Sequence, residues 1–228
     1  SNQGCTATTT AVVTVNAKPN VNFTASNGCL GAPTIFNNNS SISGGAITAW
    51  MWDTDGNGII DYNTPNISHT YGTAGTYTVI LTASSNANCI NSYSTTLTIH
   101  PLPLINISGN NACHNSVTNF TNNSSIGNGN TINSYNWNFG NSTNTNQTSP
   151  QVIYANPGNY IVTLTATSNN NCVSSGTTLV SVFPNPNVSF NAASVCQGNT
   201  TQFNNTSGVS SGSIINWLWD LNGDSNAD

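Results

Sequence analysis

Tyr77, Val79, Leu81 and Ala83 alternate with Thr78, Ile80 and Thr82, and Tyr160, Val162, Leu164 and Ala166 alternate with Ile161, Thr163 and Thr165. A period of two turns successive side chains to opposite faces. Each run therefore predicts a strand with one face on a core and the other toward solvent. Shorter runs frame them. Val21-Asn22-Phe23, Ile105-Asn106-Ile107 and Val188-Ser189-Phe190 predict first strands, and Leu97-Thr98-Ile99 and Leu179-Val180-Ser181-Val182 predict last strands. Gly75 and Gly158, in Thr-Ala-Gly-Thr-Tyr and Asn-Pro-Gly-Asn-Tyr, mark turns into the long runs. No stretch carries a helical period.

The pattern recurs. Cys29, Cys113 and Cys196 stand 84 and 83 residues apart, as do Cys5, Cys89 and Cys172, and Phe36, Phe120 and Phe203. Pro101-Leu102-Pro103 and Pro184-Asn185-Pro186 mark joints, with Pro19 at the equivalent place upstream. A period of about 83 residues is a small domain, not a solenoid turn. Residues 1–18 read as the last strand of an upstream repeat, 19–101 and 102–184 as complete repeats, and 185–228 as the first half of a further one. The phase predicts a window on a longer array. About seven strands per repeat predict an all-β chain of tandem immunoglobulin-like β-sandwiches.

Composition narrows the function classes. Only 3% of the 228 residues are charged, against about 25% in ordinary globular chains. There is one Lys or Arg in all, Lys18, and the formal net charge is −5. Binding nucleic acid or an anionic membrane surface needs clustered Lys or Arg, so neither partner is expected. No apolar run reaches the length of about 18 residues of a membrane helix, so no membrane insertion is expected. The chain carries no signal peptide, which predicts a mature or excised chain. Six regularly spaced cysteines point to an oxidising, extracellular compartment.

All six acidic residues fall in two loops. Trp52 runs into a loop with Asp53, Asp55, Asn57 and Asp61 at positions one, three, five and nine and Gly58 at position six. Trp219 runs into Asp220, Asn222, Asp224 and Asp228 at the same spacing. Alternating oxygen side chains on a tight loop converge on a hard cation, so both loops are candidate calcium sites. The bidentate Glu of an EF-hand is missing; Thr64 stands in its place. The competing reading is an Asp/Asn/Gly turn whose side chains cap their own backbone. The middle copy, Trp137-Asn138-Phe139-Gly140, lacks the acids and is expected not to bind.

Trp-Asp before an acidic glycine loop, then Ser68-His69-Thr70-Tyr71 and Ala74-Gly75-Thr76-Tyr77-Thr78-Val79, resembles the polycystic kidney disease (PKD) domain. The second copy keeps Tyr154 and Pro157-Gly158-Asn159-Tyr160-Ile161-Val162 but departs in its loop. The cysteine spacing and Pro-x-Pro joints further resemble tandem PKD arrays of large secreted surface proteins in Bacteroidota-type bacteria. The resemblance implies a spacer, stalk or adhesion module and does not imply catalysis.

Two cysteines per repeat are expected to close each domain as Cys29–Cys89 and Cys113–Cys172, stabilising by about 4 kcal/mol; buried free thiols are the alternative. Trp52, Trp137 and Trp219 are expected to plug the cores. Trp50, Tyr135 and Trp217 lie two residues earlier and are expected on the same face, with an exposed sugar-stacking platform as the other reading. Tyr77 and Tyr160 are expected as tyrosine-corner residues. Gly208-Val209-Ser210-Ser211-Gly212 matches a nucleophile elbow, yet no helix signal or His follows it. No enzyme is expected. Asn-x-Ser/Thr sequons such as Asn22 and Asn106 are numerous, as the composition alone would produce.

The sequence thus predicts an extracellular structural or adhesive repeat segment, a stalk, spacer or surface-fibre module. Its expected partners are neighbouring repeats, other copies in a fibre, or a surface glycan. The alternative is an accessory polysaccharide-binding module of a secreted hydrolase.

Overall fold

The computed structural model describes residues 6–227. It is all-β across those residues. Two compact units divide at Leu102 and Pro103.

The first unit has seven strands: β1 (Phe23–Thr24), β2 (Gly28–Cys29), β3 (Pro33–Asn38), β4 (Ile47–Asp53), β5 (Ile67–Thr70), β6 (Gly75–Ser85) and β7 (Ile90–His100). They form two sheets, ordered β1-β3-β5 and β2-β7-β6-β4. All pairs are antiparallel except β2–β7, where Cys29 sits against His100. In β6 the alternation is realised: Val79, Leu81 and Ala83 are fully buried and the intervening residues are not. The core joins the two sheets through Phe23, Phe36, Trp52, Ile67, Val79, Leu81, Leu97 and Ile99.

The second unit opens with the same plan in eight strands: β8 (Ile107–Gly109), β9 (Ala112–Cys113), β10 (Val117–Asn122), β11 (Ile132–Asn138), β12 (Asn144–Thr145), β13 (Gln151–Ile153), β14 (Gly158–Ser168) and β15 (Val173–Phe183). Its sheets are β13-β10-β8 and β12-β11-β14-β15-β9. Phe120, Trp137, Val162, Leu164, Val180 and Val182 fill its core. The β6–β7 and β14–β15 hairpins run to eleven residues per strand.

The same unit ends in β16 (Phe190–Ala192) and β17 (Phe203–Asn205), a two-stranded sheet. Phe190, Phe203 and Trp219 make ring contacts at 5.3–6.2 Å, repeating the Phe23–Phe36–Trp52 triangle. Only one layer covers these rings, so Phe190 and Phe203 stay exposed, and Trp217, expected in the core, is half-exposed. Trp50 and Tyr135, its counterparts, are partly buried against complete cores. Residues 1–18 are expected as a last strand; of these the described residues 6–18 form no strand, and Val12, Val13 and Val15 are exposed. A strand needs a partner for its backbone groups, and no described strand pairs with this stretch.

Candidate functional site

The acidic loop leaves the end of β4, which places Asp53 beside the core Trp52. Trp52 is fully buried and donates its indole N–H to the Thr64 carbonyl at 2.9 Å, so the far side of the loop is pinned to the core. Backbone bridges between Trp52 and Tyr62 close the loop. Within it, Asp53 acts as a hub. Its Oδ1 accepts from the N–H groups of Gly56 (2.7 Å), Asn57 (3.2 Å) and Asp55 (3.4 Å), and its Oδ2 accepts from Gly58 (2.8 Å). Burial pushes the Asp53 carboxyl upward, but these donors outweigh it and hold the group below the usual carboxylate range. Asp61 Oδ2 accepts from the Thr54 N–H and hydroxyl at 2.7 and 2.6 Å. Asn57 uses its Oδ1 on the Ile59 N–H and its amide N–H on Asp55.

Capping therefore engages the same residues that were candidates for an ion. It does not exhaust them. One carboxylate oxygen each from Asp53, Asp55 and Asp61 lie within 4.8 Å of one another. Asp61 Oδ1 has no partner among the described residues. The chain's one Lys and absent Arg offer almost no compensating positive charge. The set suits a hard cation in charge and ligand type. Asn57, the fourth candidate, accepts the Ile59 N–H on its Oδ1 at 2.7 Å.

The third-repeat loop copies the hub. Asp220 Oδ1 accepts from Gly223 (2.6 Å) and Asp224 (3.3 Å), and Oδ2 from Ser225 (2.8 Å), the same three, four and five-residue offsets. The N–H groups of Ser225 and Gly223 lead in lowering the Asp220 carboxyl, and Asn226 leads for Asp224. Asn222 Oδ1 accepts from the Asp224 N–H at 3.0 Å. Asp228 lies outside the described residues.

The middle loop is shorter, with Asn138 and Gly140 where Asp53 and Asp55 stand and Phe139 in the place of Thr54. Phe139 is buried against Phe120 and Trp137. Gly140 has φ 73°, and a Cβ there would lie 2.7 Å from the Ile161 carbonyl oxygen. Gly140→Ala is expected to destabilise this repeat by about 1–3 kcal/mol, because a backbone carbonyl cannot step aside. A lowered urea midpoint checks it.

Tyr77 and Tyr160 donate to the carbonyls four residues upstream, Thr73 and Asn156, at 2.8 Å, the tyrosine-corner geometry expected. A second pair was read from the sequence only as motif positions, with no role assigned. Tyr71 and Tyr154 are buried and donate to the carbonyls of Thr54 (2.8 Å) and Phe139 (3.1 Å), tying each loop to the core. Burial, with Tyr77 and the loop acids Asp55 and Asp61 behind it, raises the Tyr71 hydroxyl; burial and then Tyr160 push Tyr154 up to about 12. Their signal was a Tyr six residues before each corner tyrosine.

The cysteines sit in two recurring turns. In Ser85–Cys89 the buried Ser85 hydroxyl accepts from the Cys89 N–H at 3.1 Å, and Asn88 takes φ 57°; Ser168, Cys172 and Asn171 repeat this at 3.1 Å and 61°. The other turn has the residue two after the cysteine at positive φ: Gly31, Asn115 and Gly198 after Cys29, Cys113 and Cys196. The expected pairs Cys29–Cys89 and Cys113–Cys172 are not formed. Cys89, Cys113 and Cys196 are thiols, whereas Cys29 and Cys172 are disulfide-bonded. The reason is register. Cys29 pairs with His100 at the far end of β7, and Cys89 precedes the near end. Eleven residues at about 3.3 Å each separate them by roughly 35 Å, whereas a disulfide needs Cα atoms within about 7 Å. Cys5 lies outside the described residues.

Two-layer antiparallel sandwiches with corner tyrosines and a Trp-anchored loop define an immunoglobulin-like repeat protein. The PKD domain profile matches residues 16–101 and again 100–183. The chain belongs to the PKD domain family. Among solved structures it is similar to the PKD1 domain of Vibrio anguillarum Epp, at 28% identity over 37% of this chain and 96% of that one, TM-score 0.34. It is also similar to the PKD1 domain of the Vibrio cholerae metalloprotease PrtV, at 24% identity over 37% and 98%, TM-score 0.31. Fibronectin(III)-like modules of Clostridium thermocellum CbhA match at 10% identity over 72% and 94%, TM-score 0.37. No curated protein matches the chain.

Proposed function

We propose that this chain is a structural segment of an extracellular array, a stalk, spacer or surface-fibre module that carries no catalysis of its own. The observation that carries this reading is where the aromatic residues go. In the two complete repeats Trp52, Tyr71, Trp137, Phe139 and Tyr154 are buried, and Trp50, Tyr77, Tyr135 and Tyr160 are partly buried against the cores. Tyr93 and Phe183 are the exposed aromatics there, one in each repeat. A polysaccharide platform needs several exposed rings in a row, so the spacer reading is favoured over the accessory-module reading. The tandem repetition and the disulfide support the extracellular setting. No helix among the described residues is long and apolar enough to cross a membrane.

Calcium is proposed as a stiffener of the first acidic loop, held by Asp53, Asp55 and Asp61. The third-repeat loop is proposed to act likewise through Asp220 and Asp224, with Asn222 kept on the backbone. The ion would supply positive charge that the chain itself lacks. It would replace mutual repulsion of three carboxylates by shared coordination.

Electron microscopy of the native material, with and without a chelator, tests both parts. Regular rods or fibres carrying this segment along their length are the expected result, and bending on chelation is expected if the loops hold calcium. Globular particles, each ending in a catalytic domain, would overturn the structural reading. Calorimetric titration showing no uptake of calcium by the intact chain would overturn the ion and leave the array standing.

A further inference from the structure

Four asparagines are followed directly by glycine: Asn27-Gly28, Asn57-Gly58, Asn128-Gly129 and Asn222-Gly223. In such a pair the glycine nitrogen can attack the asparagine side-chain amide carbon and close a five-membered ring, with no Cβ in its way. The four pairs have different surroundings. In the first acidic loop the Gly58 N–H donates to Asp53 Oδ2 at 2.8 Å, so the proton on the attacking nitrogen is already aimed at a carboxylate. Asn57 Oδ1 accepts from the Ile59 N–H at 2.7 Å, a donor on the oxygen that gains charge as the carbon is attacked. The Asn57 amide N–H donates to Asp55 Oδ2 at 3.0 Å, which holds the group that must leave. The third-repeat loop repeats the set. The Gly223 N–H donates to Asp220 Oδ1 at 2.6 Å, Asn222 Oδ1 accepts from the Asp224 N–H at 3.0 Å, and the Asn222 amide reaches Asp224 Oδ2 at 3.4 Å. Asn57, Gly58, Asn222 and Gly223 are all exposed, with open space where either glycine would carry a Cβ.

We infer that Asn57 and Asn222 are self-modifying sites, each converted by its own loop to aspartate or isoaspartate through a succinimide. The Gly58 nitrogen bonds to the Asn57 side-chain carbon while its proton passes to the Asp53 carboxylate. The bond from that carbon to the amide nitrogen then breaks, and the proton goes on to the nitrogen, which departs as ammonia. Water next adds to either ring carbonyl and reopens the ring, leaving a carboxylate. The net change is one water consumed and one ammonium released, with no oxidant or cofactor. Asp220 and Gly223 take the same parts at Asn222. The other two pairs lack this apparatus. Asn27 Oδ1 accepts from the Thr98 N–H at 2.9 Å, and Gly28 is held in β2 against Ile99. Among the described residues no carboxylate accepts from the Gly28 or Gly129 N–H.

The products bring the two loops together in composition. An aspartate at 57 stands at loop position five, where the third-repeat loop has Asp224. An aspartate at 222 stands at position three, where the first loop has Asp55. Each loop then carries acids at positions one, three and five, and each event adds one negative charge to a chain of formal net charge −5. The isoaspartate product instead routes the main chain through an extra methylene, which lengthens the loop that Asp53 or Asp220 gathers.

The test incubates the full chain at neutral pH with a chelator, so that it depends on neither the calcium nor the stalk reading. Digestion in mild acid and mass spectrometry then follow the gain of about 1 Da at each of the four asparagines. Asn57 and Asn222 are expected to lead Asn27 and Asn128 by about tenfold in the folded chain. That is less than the ~100-fold at the foot of the usual range of general acid–base assistance, because the loop backbone must also turn to close the ring. In concentrated urea the four are expected to advance together. The inference is overturned if Asn128 keeps pace with Asn57 and Asn222 in the folded chain, or if the same order persists in urea. Asp53→Asn keeps an acceptor for the Gly58 N–H but takes up no proton. It is expected to slow Asn57 to the rate of Asn128 and to leave Asn222 unchanged; an undiminished rate at Asn57 overturns the inference. If the variant unfolds the first repeat, Asn27 quickens as well, and Asp220→Asn then decides the matter at Asn222 by the same comparison.

Discussion

Trp52→Ala is expected to remove about 3–5 kcal/mol from the first repeat and to leave the second unchanged. The side chain is fully buried, packs edge-on to Phe23 at 4.9 Å and tilts against Phe36 at 5.7 Å. Truncation opens a cavity at the centre of the core, strips two aromatic contacts and leaves the Thr64 carbonyl without its indole donor. A small domain has about 5–15 kcal/mol in all, so the repeat is left marginal. Hydrogen exchange resolves the effect by element. Amides of β6 and β7 lose protection while those of β14 and β15 keep theirs. Equal loss in both hairpins would show that the repeats fold as one cooperative unit and not as two. Trp52→Phe retains the ring contacts in part and is expected to cost about half as much.

The strand plan of each repeat was open to reading because burial on one face imposes a period of two, and Val79, Leu81 and Ala83 obey it without exception. The core tryptophans were legible for a related reason: a large apolar side chain at the same phase of two repeats has few places to go. Cysteine pairing was not legible. Two cysteines 60 residues apart in one domain suggest closure, and only the parallel pairing of Cys29 with His100 shows them at opposite ends of an eleven-residue strand. Strand direction and register are long-range facts that local pattern does not contain. The acidic loop was half legible. Its residue types fit an ion and a capped turn equally, since both ask for oxygens converging on one point. The structure shows how Asp53 serves the turn while the cluster keeps oxygens unspent. Trp217 was misjudged because phase predicts which way a side chain points, not whether a second layer lies over it.

Asp53→Ala is expected to melt the acidic loop and cost the first repeat about 2–3 kcal/mol. Four backbone N–H groups converge on this carboxylate, and of these the Asn57 N–H also reaches Asp55 Oδ1 at 3.2 Å. Gly56, Asn57 and Gly58 are exposed, so water takes over part of the loss and keeps the figure below the sum of four buried bonds. Asp53→Asn keeps an acceptor oxygen and is expected to cost less than half as much, while removing one of three charges from the cation cluster. The two variants therefore separate the cap from the ion: Ala removes both, Asn spares most of the cap. Acid does the same without mutation. The folded pKa of Asp53 lies below its unfolded value. Its contribution is therefore complete above about pH 4, and is lost as the pH falls below that through the folded pKa. The wild-type chain is expected to lose first-repeat stability over that acid window more steeply than Asp53→Asn, which has no proton to take up at this position. Urea midpoints measured from pH 6 down to pH 2 read the difference. Parallel curves would mean that the backbone donors do not favour the charged carboxylate, and the hub would be geometric only.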